Sequence, residues 1–339
     1  MKRERRDFLK TAGAAGVAAA TAGFDGAGLT AAPAPRRAGR GLATGLTLLT
    51  VRRQGRDRLA VKTAQGILDV SQAAGLLGLY APSTLDEMLQ QEDGPSVQAV
   101  VAAALKSPKA QPAFVKEEGL EYGPLVSRPE KIVCVGLNYR KHAEETGAQV
   151  PKWPILFNKF NGALNRHNGT VKLPVDVAVK FDYEVELVIV MGREAKSVSE
   201  ANALSYVAGY ATGNDFTARD LQQERGGQWM LGKAVDQFAP LGPYLLTADQ
   251  IDPDRLKIEL RLNGQARQSS NTSDMIFNTR QIISYASTYF TLKPGDIIFT
   301  GTPEGVILGM PKEKQVWLKP GDKIACSLEK LGELRFELV

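Results

Sequence analysis

From Leu46 onward, short apolar runs alternate with turns built from glycine, proline, asparagine and aspartate. Residues 47–52, 58–62 and 66–70 read as strands joined by turns that hold Gly55 and Gly66. Helical spacing follows at residues 85–89 and 96–105. Residues 131–136 and 154–159 are again strand-like, and residues 198–207 have the pattern of a helix leading into a strand that Asp215 ends. Asn263-Gly264 signals a two-residue hairpin, because both positions tolerate the positive φ of a type I′ turn. Lys293-Pro294-Gly295-Asp296 and Lys319-Pro320-Gly321-Asp322 are matching turn signals, each followed by a strand-like run. Many short strands and few helices predict a β-rich α+β fold. A small α+β domain is expected over residues 45–125 and a larger domain over 126–339. Strands and long helices do not alternate, which argues against a doubly wound sheet.

One run gives the pattern its centre: Phe181-Asp182-Tyr183-Glu184-Val185-Glu186-Leu187-Val188-Ile189-Val190. Its unbroken apolar half indicates a strand buried on both faces. Side chains two apart on a strand share a face, roughly 7 Å from one another, so Glu184 and Glu186 stand together. Two buried neighbouring carboxylates must take up protons, find basic partners or share a cation. The plain alternative is an exposed strand start with both glutamates in water.

Composition changes this picture only at the N-terminus. The formal net charge of +5 lies entirely in the first 45 residues, which carry eight basic side chains against three acidic ones. The rest is balanced, so nothing in the body points to nucleic acid as a partner. Arg5-Arg6-Asp7-Phe8-Leu9-Lys10 and the mild apolar run over residues 11–23 have the two regions of an export signal. That run is too short to span a bilayer, which takes about 20 apolar residues. The paired arginines resemble a twin-arginine signal. That implies the Tat translocase as a transient partner and an exported, periplasmic location. Cleavage is expected after Ala20-Thr21-Ala22 or within residues 30–34, and residues 1–44 are read as signal and linker. Cys134 and Cys326 sit in apolar runs and are expected as buried free thiols.

Four fragments carry the candidate chemistry. They are Asn138-Tyr139-Arg140-Lys141-His142-Ala143-Glu144-Glu145, Glu184-Val185-Glu186, Asn214-Asp215-Phe216-Thr217-Ala218-Arg219-Asp220-Leu221-Gln222 and Thr300-Gly301-Thr302-Pro303. With Gly232-Lys233 and Pro240-Leu241-Gly242-Pro243, this ordered set resembles the fumarylacetoacetate hydrolase family over about residues 126–339. The resemblance implies a mixed β-sheet roll, a homodimer, and one divalent cation, Mg²⁺ or Mn²⁺, held by Glu184, Glu186 and Asp215. Three carboxylates without a cysteine or histidine ligand suit such a hard, octahedral ion.

It also implies a His142–Glu145 dyad on a segment that orders over the substrate. At i, i+3 the two can share a helical face. The carboxylate then fixes the imidazole tautomer while the other ring nitrogen takes a proton from water. Glu144 is the rival partner. Lys233 is expected to face the substrate and stabilise developing negative charge. Lys159 would balance the carboxylates or serve only as a salt bridge. Arg219 and Gln222 follow Asp215 on one helical face. Arg219 would clamp a substrate carboxylate or pair structurally with Asp220 or Glu224. Thr302 would offer a hydroxyl or backbone N–H, while Tyr139 and Trp229 would line the pocket or simply pack. His167 reads as a solvated surface residue.

The implied activity is that of a divalent-metal-dependent enzyme on a small 2-oxo or β-diketo acid. Hydrolysis of a C–C bond ranks first, with the dyad activating water and a metal-stabilised enolate leaving. Dienedioate isomerisation, oxaloacetate decarboxylation and tautomerisation share that enolate. A periplasmic 2-oxo acid-binding protein without turnover is a further alternative. The intact His142, Glu145 and Lys233 disfavour it, because binding needs no proton-transfer dyad.

Overall fold

Strand Val185–Met191 is buried along its whole length, at the middle of a twelve-stranded mixed sheet. The structure is a computed structural model and describes residues 36–339. The expected signal, its cleavage points and the first part of the linker lie outside the described residues. Val185–Met191 pairs antiparallel with Val207–Asn214 on one side and Ile297–Phe299 on the other. The sheet continues outward through Ile132–Gly136 to Ile155–Lys159. In the other direction it passes through Leu245–Thr247 to Thr47–Arg53, Arg56–Thr63 and Gly66–Asp69. Strands on both sides of residue 125 therefore share one sheet.

A second, five-stranded sheet is built around Lys257–Leu262, Lys323–Leu328 and Gly332–Leu338. Leu187, Ile189 and Met191 pack in one core with Ile258, Cys326 and Phe336 from that sheet. Val188 and Val190, on the opposite face, pack in another core with Leu48, Leu59 and Val97. Burial on both faces is what the unbroken apolar run requires, since a polar residue at any of these positions would be stranded from water.

The turn signals behave as their chemistry demands. Asn263 and Gly264 take φ of 50° and 82° between strands Lys257–Leu262 and Gln265–Asn271. Gly295 and Gly321 take φ of 91° and 90°, and the aspartate after each accepts the turn's first backbone N–H. Helices Leu85–Gln90 and Gly94–Ala104 stand where their spacing puts them. The expected helix over 198–207 is instead a 3₁₀ segment, Glu200–Tyr206, with no side-chain cap to start an α-helical turn. Two of the longer helices escape the pattern. Asp69 caps Val70–Leu77 through Gln72 N, so the third strand stops one residue earlier than read. Thr279–Tyr289 opens on a reciprocal Asn278–Gln281 capping box.

Residues 37–43 are not free linker: Arg37 Nε donates to Asp93 Oδ2 at 2.9 Å, and Gly41 N to Glu92 O at 2.6 Å. Gly94 permits this approach, because a Cβ there would lie 2.1 Å from Ala43 N. His167 is half-buried rather than solvated, edge-on to Tyr122 at 4.7 Å, with Nδ1 accepting from Arg335 N. Burial, and then the nearby Arg335 charge, hold its pKa down to about 4. Both cysteines are buried and free. Among the described residues no helix is long and apolar enough to cross a membrane.

Candidate active site

The central strand delivers its acids at one end. Glu184 stands just before it and Glu186 one residue inside, with Asn214 paired opposite Val185. The neighbouring strand ends at Asn214, and Asp215 N donates to Glu184 O at 2.9 Å. Two antiparallel strands thus bring Asp215 to the neighbouring Glu184 and Glu186. One oxygen from each lies within 4.8 Å of the other two, and all three residues are buried. Opposite Glu186 the partner strand has Gly213, where a Cβ would meet Val188 at 2.5 Å. Gly301, with φ 102°, brings its backbone N–H to 2.7 Å from Glu186 Oε2. A side chain there would put its Cβ 2.6 Å from that of Asn138.

Three cations face these acids. Lys233 Nζ lies 2.5 Å from Glu184 Oε2 and 2.7 Å from Asp215 Oδ2. Lys159 pairs with Asp215 Oδ1 and donates to Phe216 O. Arg219 Nη2 is 2.7 Å from Glu184 Oε1 but off the line of its N–H bonds, so this is a charge contact more than a hydrogen bond. Burial pushes the Glu184 carboxyl up, but Lys233 and Arg219 outweigh it and hold the pKa at about 2. Glu186 has no basic partner among the described residues. Burial, and then the charges of Asp215 and Glu184, raise its pKa well above the carboxylate range. Burial tends to neutralise Lys233, yet Asp215 and Glu184 raise its pKa overall.

This donor set fits a hard divalent cation. It offers oxygen ligands only, and one of its acids is buried without a counter-charge that such an ion would supply. The acids open on a cavity of about 150 Å³, also walled by His142, Phe157, Gln222, Trp229, Thr302 and Leu308. His142 enters from the short helix Arg140–Glu145, which the chain reaches through Leu137 at φ 52°. Its Nδ1 is 2.8 Å from Glu145 Oε1, and Glu145 Oε2 accepts from Gly305 N at 2.8 Å. With Nδ1 as the donor, Nε2 is the basic nitrogen. Glu144 is exposed and takes no part.

The remaining candidates fall into two groups. Gln222, Thr302 and Trp229 line the cavity. Gln222 gives Oε1 to Arg219 Nη1, which leaves its amide N–H groups for a ligand. The Thr302 hydroxyl is spent, donating to Val185 O and accepting from Gln268 Nε2, so its backbone N–H is the group on offer. Trp229 packs over Gly136, where a Cβ would come 2.3 Å from its ring. Arg219 touches the cavity too, but its pairs are Asp182 and Glu184, not Asp220 or Glu224. Lys159 and Tyr139 stand behind the site. The Lys159 ammonium is held by Asp215, and the Tyr139 hydroxyl is buried with no partner among the described residues.

The sequence reading assigned nothing to Asp182, Asn138 or Gln268. Asp182 accepts four hydrogen bonds, from Tyr183 N, Ile307 N, Leu308 N and Arg219 Nε. Asn138 ties the dyad's loop to Thr300 O and to both backbone groups of Phe277. Gln268 accepts from Val185 N. The one available signal was a polar residue inside an apolar run, which only Asp182 showed.

A family model described as fumarylacetoacetate (FAA) hydrolase C-terminal matches residues 131–339. A TAT (twin-arginine translocation) pathway signal sequence matches residues 4–22, so the chain carries an export signal. A mitochondrial oxaloacetate tautomerase of Rattus norvegicus is 41% identical over 252 residues, 74% of this chain and 78% of that protein. The fumarylacetoacetate hydrolase of Exiguobacterium antarcticum has a TM-score of 0.68 at 29% identity, covering 86% of this chain and 99% of that one. Fumarylpyruvate hydrolase from Pseudomonas aeruginosa, solved with Mn²⁺ and pyruvate, has a TM-score of 0.56 at 34% identity, covering 62% and 90%.

Proposed function

From the premise that the chain belongs to the fumarylacetoacetate hydrolase family, we propose that it moves a proton at C3 of a small 2-oxo dicarboxylic acid. The reaction is a keto–enol interconversion of the oxaloacetate type, performed by an exported, periplasmic homodimer. The observation that carries this reading is the His142–Glu145 contact of 2.8 Å beside the same small cavity as the three carboxylates. A base and a cation site facing one space suit chemistry next to a keto group.

Glu184, Glu186 and Asp215 would hold the cation, Mg²⁺ or Mn²⁺. When bound, such an ion supplies a Lewis acid that polarises a 2-oxo acid's keto oxygen. In the keto-to-enol direction His142 Nε2 takes the C3 proton and passes it to the C2 oxygen, and in the enol-to-keto direction it takes the hydroxyl proton from that oxygen and delivers it to C3, with Glu145 fixing the tautomer. Lys233 stabilises the negative charge that develops on oxygen. The Gln222 amide and the Thr302 N–H orient the substrate carboxylates. Arg219, already engaged by Asp182, Glu184 and Gln222, holds those groups in place rather than clamping substrate.

C–C hydrolysis becomes the second reading. It needs an attacking water and a longer substrate in the same space, whereas proton transfer at C3 needs only the base and the cation site. The likeness to fumarylpyruvate hydrolase keeps it in view. The test is parallel turnover with Mn²⁺: disappearance of enol-oxaloacetate by its ultraviolet absorbance, and release of pyruvate from acylpyruvates. The first reaction is expected to be the faster. Acylpyruvate cleavage alone would install the hydrolase reading, and turnover of neither would remove both.

A further inference from the structure

Asp182 is fully buried, yet no part of the proposed chemistry uses it. Oδ1 accepts from Tyr183 N and Ile307 N, each at 2.9 Å. Oδ2 accepts from Leu308 N at 3.0 Å and Arg219 Nε at 2.9 Å. A buried carboxylate saturated by four donors is a rigid fixture, because moving it would leave several polar groups unpaired at once.

The fixture joins two halves of the site. Arg219 reaches from it to Glu184 Oε1 and to Gln222 Oε1. Ile307 and Leu308 belong to the turn whose Gly305 N holds Glu145 Oε2. Gly309 of that turn lies so close to Glu145 that a Cβ would meet its carboxyl carbon at 2.4 Å.

We propose that Asp182 is a positioning residue that fixes the His142–Glu145 dyad relative to the carboxylate trio, by holding the Ile307–Gly309 turn and Arg219 on one carboxylate. The proposal rests on the dyad reading above. Beyond its contact with His142, Glu145 is placed by Gly305, which is held at its carbonyl by the Tyr183 hydroxyl and, through the residues that follow it, by Asp182, which also accepts from Tyr183 N. Asp182→Asn keeps the volume but replaces one oxygen by an amide that faces donors. Whichever way the amide is oriented, it releases either the Tyr183–Ile307 pair or the Leu308–Arg219 pair.

The test is a kinetic cycle on the full chain with Mn²⁺ and enol-oxaloacetate. D182N is expected to lower kcat 10–100-fold, the range for residues supporting a site from behind, with KM little changed. In an E145Q background D182N is expected to have a much smaller effect, because only the arm through Arg219 is then left to lose. Should D182N fail to fold by circular dichroism, I307P replaces it. Val306 has φ −66° and ψ 154°, which a following proline accepts, and proline removes the N–H that Oδ1 binds. The same loss, absent in E145Q, is expected. Equal losses in both backgrounds, or no loss from D182N, would overturn the proposal alone. An E145Q enzyme as fast as the parent would overturn the dyad reading as well.

Discussion

Replacing His142 by alanine is expected to lower kcat by about 10²–10⁴-fold, the usual worth of a positioned general base, while Mn²⁺ affinity stays within about twofold. The two halves of that statement follow from separate geometry. His142 meets Glu145 through Nδ1 and lines the cavity, but it is not one of the three residues whose oxygens converge. Truncation removes the proton acceptor and leaves the carboxylates untouched. Parallel kinetics and calorimetry on H142A separate the roles. Unchanged turnover would remove the imidazole from the mechanism, whereas lost cation uptake would make it a ligand.

Lys233→Met is expected to cost the metal-free protein about 3–5 kcal/mol of stability, the range for breaking a buried ion pair from one side. Its ammonium is shared between Glu184 and Asp215, and all three side chains are at most 5% exposed. Methionine fills a similar volume but leaves two carboxylates short of a counter-charge. Arg219 still reaches Glu184 and Lys159 still reaches Asp215, so the lower end of the range is expected. Lys293→Met is the control, because its pair with Glu194 is 39% and 59% exposed. Such surface pairs contribute about 0–1 kcal/mol. Urea unfolding of both variants makes the comparison. Equal losses would mean that the buried charges are balanced by something other than Lys233.

Much of the fold was legible because its signals are local. A hairpin needing positive φ at Asn263 and Gly264, or a Pro-Gly-Asp turn, declares itself within a few residues. The buried strand announced itself through its apolar run. The site was legible in part for the same reason: Glu184 and Glu186 are neighbours on that strand, and His142 and Glu145 are a helical turn apart. Asp215, Lys233 and Lys159 came from the family resemblance, since nothing local shows that strands ending at Asn214 and Lys159 converge on Glu184.

What stayed hidden was of two kinds. Partner choice was one: Arg219 passes over Asp220 beside it for Asp182, 37 positions away. A sequence shows which charges are near along the chain, not which the sheet brings together. The other was capping and packing. Asp69 starts a helix where strand spacing suggested continuation, and Tyr122 buries a histidine that its polar loop placed in water. Both depend on groups the local pattern does not contain.

The proposal that Glu184, Glu186 and Asp215 together hold a single hard dication carries the rest, and calorimetric titration of chelator-treated protein with Mn²⁺ tests it most directly. One ion per chain is expected for the parent and none for Glu186→Gln, with both proteins equally folded. No uptake by the parent, or undiminished uptake by E186Q, would contradict the account.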